Sequence, residues 1–216
     1  MQDLPLTAYR TVGKDAETET ILHRSRFIGR CWRIADESEA LAILERIRKQ
    51  HWDATHNCYA YALKDGTARY SDDGEPSGTA GMPMMETIKH IGVTDVLVIV
   101  TRYFGGILLG AGGLVRAYAH SASDAVKAAG VVTMQPCTQF SVTVPYPYWS
   151  TVQRIISQYA TGVEATYAET ITCTCWVRDT DTESFLTAMR ERTEARILPI
   201  WVGSDRFPFQ EAETLE

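Results

Sequence analysis

The chain has 216 residues, 45% hydrophobic and 22% charged, with a formal net charge of −6. That length favours two small domains over one large one, and ordinary globular composition lets each bury a core without a metal or disulfide staple. No run approaches the ~20 apolar residues of a membrane helix, and the N-terminus has no secretory-signal pattern, so the reading is a soluble, cytoplasmic chain with no membrane partner.

Along the chain, residues 6–12 and 27–34 are strand candidates. Asp36, Glu37 and Ser38 then offer caps for a helix carrying Ala40, Ile43, Leu44 and Ile47 on one face. Residues 56–63 form a further strand, and 71–81 are too rich in Gly, Pro and Asp for regular structure. A helix over 82–90 ends at Gly92, the buried strand 95–102 follows, and 105–113 is a glycine-rich loop. Residues 114–129 make a helix, and 131–134 a short strand. The pattern restarts after Pro136, with a strand over 139–144, a helix over 148–159, a hairpin of 162–168 and 170–178, a helix over 179–192 and a closing strand over 196–202. That βαββαβ order is the ferredoxin-like arrangement. The expected fold class is α+β in two domains, 1–136 and 137–204, with a loose polar tail over 205–216.

The first domain carries 15 basic against 16 acidic residues and the second 6 against 11, so neither has the cationic excess that backbone-phosphate binding relies on. The five cysteines, Cys31, Cys58, Cys137, Cys173 and Cys175, are an odd count with no secretory signal. Cys173 and Cys175 share the apolar face of one strand, which reads as core rather than as half of a zinc set.

Two segments concentrate candidate chemistry. In the first, 70–83, Asp72, Asp73 and Glu75 are the metal candidates for a hard cation such as Mg²⁺, while Ser77, Thr79, Gly81 and the adjoining helix start could present donors to an anion. The plain alternative is a turn that uses its acids as caps. In the second, a buried strand delivers Arg102 and Tyr103 to its end, and Gly105, Gly106, Gly110, Gly112 and Gly113 lead into a helix. Glycine permits close backbone approach, a helix start favours negative charge, and Arg102 adds a fork, so this is a phosphate or carboxylate cradle or else tight backbone packing. It is neither a P-loop nor a dinucleotide fingerprint. His56 and Cys58 share a strand face, but side chains two apart point in parallel and pair poorly. No catalytic residue and no cofactor is assigned.

Four motifs then occur in order: His23-Arg24-Ser25-Arg26-Phe27-Ile28, His56-Asn57-Cys58-Tyr59-Ala60, Ser71 through Gly81, and Arg102 through Gly110. Together they resemble the N-terminal domain of the IMPACT family, and the whole length resembles its bacterial YigZ-type members. The resemblance implies an N-terminal α+β sandwich similar to domains of a small-subunit ribosomal protein and of elongation factor G (its domain IV), followed by a ferredoxin-like C-terminal domain. It also implies translational control. The kinase-activator partner of eukaryotic relatives is tied to a different interaction domain and is not carried over. The expected function is a non-enzymatic regulator of translation that binds ribosome, RNA or a translation-related protein. Arg102, Tyr103, the glycines, His56 and the 72–81 loop would form one ligand site. The alternative is a Mg²⁺-dependent enzyme, or a binder, of a small phosphorylated metabolite. A scaffold using Trp32, Trp52, Trp149 or Trp176 ranks last.

Overall fold

The computed structural model describes residues 7–210. The described chain divides into two compact units, one built from residues 9–133 with Gln210 and one from residues 7–8 with 134–209. Both mix helices and strands, so the α+β class holds.

The first unit is a sheet with helices on both faces. Its strands run β2 (Ala16–Leu22), β3 (Ser25–Arg33), β6 (Val96–Tyr103), β4 (His56–Ala62) and β5 (Ala68–Ser71), in that spatial order. Each of these pairings is antiparallel. β6 is central and covered twice, which explains its nearly unbroken Val-Leu-Val-Ile-Val run. Val96, Val98 and Val100 join Phe27, Cys58 and Ala60 under α2 (Gly81–Ile91) and α3 (Gly110–Ala129). Leu97 and Ile99 join Trp32, Ile34 and Tyr61 under α1 (Glu37–Gln50). Asp36 starts α1 by accepting from the Glu39 amide at 2.9 Å, and Glu39 reaches back to the Ala35 amide at 2.7 Å, a reciprocal cap. The short β1 (Tyr9–Val12) is fastened by the Thr94 amide on the Arg10 carbonyl at 2.9 Å.

The second unit follows the order β7 (Val131–Val144), α4 (Tyr146–Tyr159), β8 (Ala160–Tyr167), β9 (Ile171–Arg178), α5 (Thr182–Arg192) and β10 (Ile200–Gln210). β10 and β9 pair with β7, and β8 pairs with β9, which is the ferredoxin-like sheet. Phe140, Val142, Val144, Ile171, Cys173, Cys175 and Val177 face the helices.

Several elements differ from expectation. The 16–22 strand was not anticipated: its alternating acids hid it, and they are satisfied by arginines of β3, Glu17 by Arg30 at 2.6 Å and Glu19 by Arg26 at 2.7 Å. Helix α3 starts at Gly110 rather than 114, so Gly110, Gly112 and Gly113 belong to a helix and not to a loop. β7 runs straight through Pro136, because a proline fits extended backbone and forfeits only one donor. The tail expected to be loose is strand up to Gln210: Phe207 stacks on Trp176 at 6.0 Å in the space left by Gly162, where a Cβ would come within 2.7 Å of the Phe207 ring. Residues 211–216 of that tail lie outside the described residues, as does Leu6 of the first expected strand.

Candidate functional site

The 72–81 segment is a connection from β5 to α2 tied by its own side chains. The Asp72 carboxylate accepts from the amides of Gly78, Ala80 and Gly81 at 2.8, 3.0 and 2.8 Å. These are donors at the start of α2, whose own N-cap residue, Ala80, supplies no side-chain cap. Asp72 does that work from eight residues upstream of Ala80. Asp73 faces elsewhere: it accepts from the Asn57 amide at 2.7 Å and from Arg48 at 2.9 Å. Thr79 turns its hydroxyl onto the Pro76 carbonyl at 2.6 Å, and Ser77 is exposed. Gly81 is required by packing, since a Cβ would sit 2.8 Å from the Ser71 backbone.

Glu75 turns inward and becomes buried. Its Oε1 accepts from Arg102 Nη1 at 2.6 Å and from the Tyr118 hydroxyl at 2.8 Å, while His56 Nε2 stands 3.8 Å from Oε2. The carboxylates of Asp72, Asp73 and Glu75 therefore serve three separate sets of partners. They do not converge on a cation, and no group of three or more metal-binding side chains occurs among the described residues. This overturns their reading as a shared Mg²⁺ site.

Arg102 is corrected in the same way. Rather than a free fork at a strand end, it is 5% exposed, paired with Glu75, and sandwiched between the Phe27 and Phe104 rings at 5.4 and 5.5 Å. A guanidinium already neutralised by a buried carboxylate offers an incoming anion little net attraction. Only its Nε remains without a hydrogen-bond partner. His56 donates its Nδ1 proton to the Asp73 carbonyl at 2.8 Å, and Cys58 Sγ lies 3.0 Å from the Asp72 carbonyl. Burial pushes the Cys58 thiol up to about 12, which disfavours the thiolate a nucleophile needs, and both ring nitrogens of His56 face other partners.

Tyr103, one residue on, faces the opposite side of β6 and joins a hydrogen-bond network whose connections sequence reasoning missed. Arg30, 4% exposed, binds Glu17, the Thr101 hydroxyl at 3.1 Å and His51 Nε2 at 2.7 Å. Arginine can only donate, so His51 accepts at Nε2 and carries its proton on Nδ1, which then donates to the Tyr103 hydroxyl at 2.9 Å. Tyr103 passes its own proton toward Asp53 at 3.1 Å. Burial, then the Arg30 charge, hold the His51 pKa below its ordinary value. Thr101 donates to Asn57 at 2.9 Å. The available signal was a charged residue, Arg30, inside an apolar strand.

Between the two networks rises the exposed segment 104–109. Its base is pinned: the Phe104 amide donates to Thr55 at 3.0 Å and the Gly105 amide to Ser25 at 3.2 Å. A Cβ on Gly105 would fall 2.0 Å from the Arg24 carbonyl, so only glycine fits there. The β2–β3 turn against it holds His23 and Arg24 at φ of 47° and 64°, a strained conformation for residues with side chains. Gly106, at φ 81°, lets the loop reverse, and Phe104, Ile107 and Leu108 stand exposed, Leu108 by 86%. The structure thus brings Arg102, Glu75 and His56 together, sends Tyr103 to the opposite face of the sheet, and leaves Gly106 in the exposed loop and Gly110, Gly112 and Gly113 in the first turn of α3.

Comparison with known proteins agrees with this layout. The Impact N-terminal domain family matches residues 23–126, and a domain of unknown function (DUF1949) matches 142–196. The IMPACT family member YvyE of Bacillus subtilis is 39% identical over 195 residues, covering 88% of this chain and 89% of that protein. The IMPACT family member YigZ of Escherichia coli is 35% identical, covering 63% of this chain and 69% of that protein. A solved structure described as a hypothetical protein superposes with a TM-score of 0.59 over 92% of this chain and 99% of that one, at 24% identity, and supports the fold. The chain belongs to the IMPACT family.

Proposed function

We propose that the chain is a non-enzymatic binding protein that acts on translation, contacting the ribosome through the exposed loop 104–109. The observation that carries this reading is the loop itself. Phe104, Ile107 and Leu108 are displayed to solvent on a base fixed by Thr55, Ser25 and the Arg24 backbone. Apolar side chains displayed on a rigid scaffold are characteristic of interaction sites. The buried Arg102–Glu75 pair beneath serves as its foundation. The translational link of IMPACT relatives supplies the partner class, and cationic Arg24 beside the loop suits a ribosomal surface rich in phosphate.

The alternative of a Mg²⁺-dependent enzyme or phosphometabolite binder has less support, because Asp72, Asp73, Glu75 and Arg102 are each committed to internal partners. Co-sedimentation of the full chain with ribosomes tests the proposal. Leu108→Asp combined with Phe104→Ser is expected to weaken it at least about tenfold, as loss of central apolar anchors does. Undiminished co-sedimentation of that folded variant overturns the reading.

A further inference from the structure

We propose that the free edge of β2, with the recess beside it, takes up an extended acidic peptide from a partner protein by strand addition. β2 ends the sheet of the first unit, so among the described residues one side of its backbone has no neighbouring strand in that sheet. Natural edges are commonly guarded by charges that repel an incoming strand. Here the two acids of β2 are turned to other use, Glu17 on Arg30 and Glu19 on Arg26. The strand instead finishes in Ile21, 68% exposed, and Leu22.

On the opposite face of β2, helix α3 presses hard on the middle of β3, where a Cβ on Gly29 would meet Ser121 at 2.6 Å. Further along, the helix and strand part. A recess of about 300 Å³ opens there, walled by Thr20 and Leu22 of the strand and Arg116, Ala117 and His120 of the helix, with Phe27 as its floor. A groove between an edge strand and a helix suits peptides that add a strand: main-chain hydrogen bonds give affinity, and a pocket for alternate side chains gives specificity. The volume accommodates one aliphatic side chain with its neighbours.

Charge selects the occupant. Arg116 makes no ion pair among the described residues, and its guanidinium lies by Gly112 at the helix start. His120, one turn on, lies 3.2 Å from the Asp124 carboxylate. The recess itself is apolar, and the unpaired Arg116 at its rim calls for a carboxylate next to the aliphatic side chain.

The test pans a phage-displayed random octapeptide library on the full chain, then titrates the enriched sequences as fluorescein-labelled peptides. Enriched peptides are expected to carry an aliphatic residue flanked by Asp or Glu. Their affinity is expected to fall at least about tenfold for Arg116→Glu, which reverses the wall charge, and for Thr20→Trp, which plugs the recess. Arg116 is exposed and Thr20 half-buried, and circular dichroism confirms folding. No enrichment, or peptides that bind both variants as well as the parent, overturns the proposal. So does a concentration-dependent dimer abolished by the same substitutions, which would give the edge to a second copy. Both variants leave residues 104–109 intact, so their ribosome co-sedimentation reports separately on that loop.

Discussion

Glu75 Oε1 meets Arg102 Nη1 at 2.6 Å, with only 3% and 6% of the two side chains exposed. The same oxygen also accepts from Tyr118, so α3 and β6 are joined to the 72–81 loop through one atom. Removing one partner strands a buried charge, so Glu75→Leu and Arg102→Met are each expected to cost about 3–5 kcal/mol. The double variant is expected to cost less than the sum of the two. Urea midpoints of the four proteins in a double-mutant cycle measure the coupling, and simple additivity would refute it.

Neighbouring glycines of the exposed loop should respond differently to a methyl group. Gly105→Ala drives a Cβ into the Arg24 backbone and is expected to cost about 2 kcal/mol or more, as overpacking against rigid atoms does. Gly106→Ala meets open space and carries only the penalty of its positive φ, about 1 kcal/mol. Thermal or urea unfolding ranks the two, and an equal or reversed order contradicts the geometry.

Acid should weaken the first unit through His51. Its folded pKa lies below the ordinary 6.5, so between the two values the unfolded chain binds more protons than the folded one. The stabilisation is complete above pH 6.5 and is lost as pH falls toward the folded value. Protonating Nε2 also turns a hydrogen-bond acceptor into a donor facing Arg30. His51→Gln is expected to flatten the fall in urea midpoint between pH 7.5 and 5.5. A variant with the parent's slope would assign that loss to other groups.

All five cysteines are buried, and burial pushes the thiols of Cys31, Cys58 and Cys175 up to about 12 and that of Cys137 up to about 11. Ellman's reagent is expected to find no fast thiol in the native protein and all five after denaturation. One thiol reacting within seconds in the folded state would expose an opening that the packing does not allow.

What was legible in the residues was mostly local. The apolar run of β6 and Gly92, at φ 76°, marked a buried strand and a helix end, because periodicity and left-handed caps are written in adjacent residues. The ferredoxin-like order followed from the same signals. The candidate site was less legible, since the meaning of Arg102 depends on a glutamate 27 residues earlier that the chain brings inward. The Arg30–His51 network was missed for that reason too, with partners drawn from β2, β3, β6 and the end of α1. Gly110, Gly112 and Gly113 were misplaced because poor intrinsic helix formers are held in α3 by the packing of the rest of that helix.

The last residues of β6 point alternately to opposite layers of the first unit: Thr101 and Tyr103 reach the α1 side, Arg102 the α3 side. Side chains on a strand repeat every second residue, so sliding this strand by a single position would exchange the contents of the two layers. The guanidinium would then confront Arg30, and an aromatic ring would confront Glu75. An insertion or deletion of one residue anywhere in β6 is therefore far more damaging than any point replacement there. The strand acts as a keyed spine whose frame holds the whole rim in place.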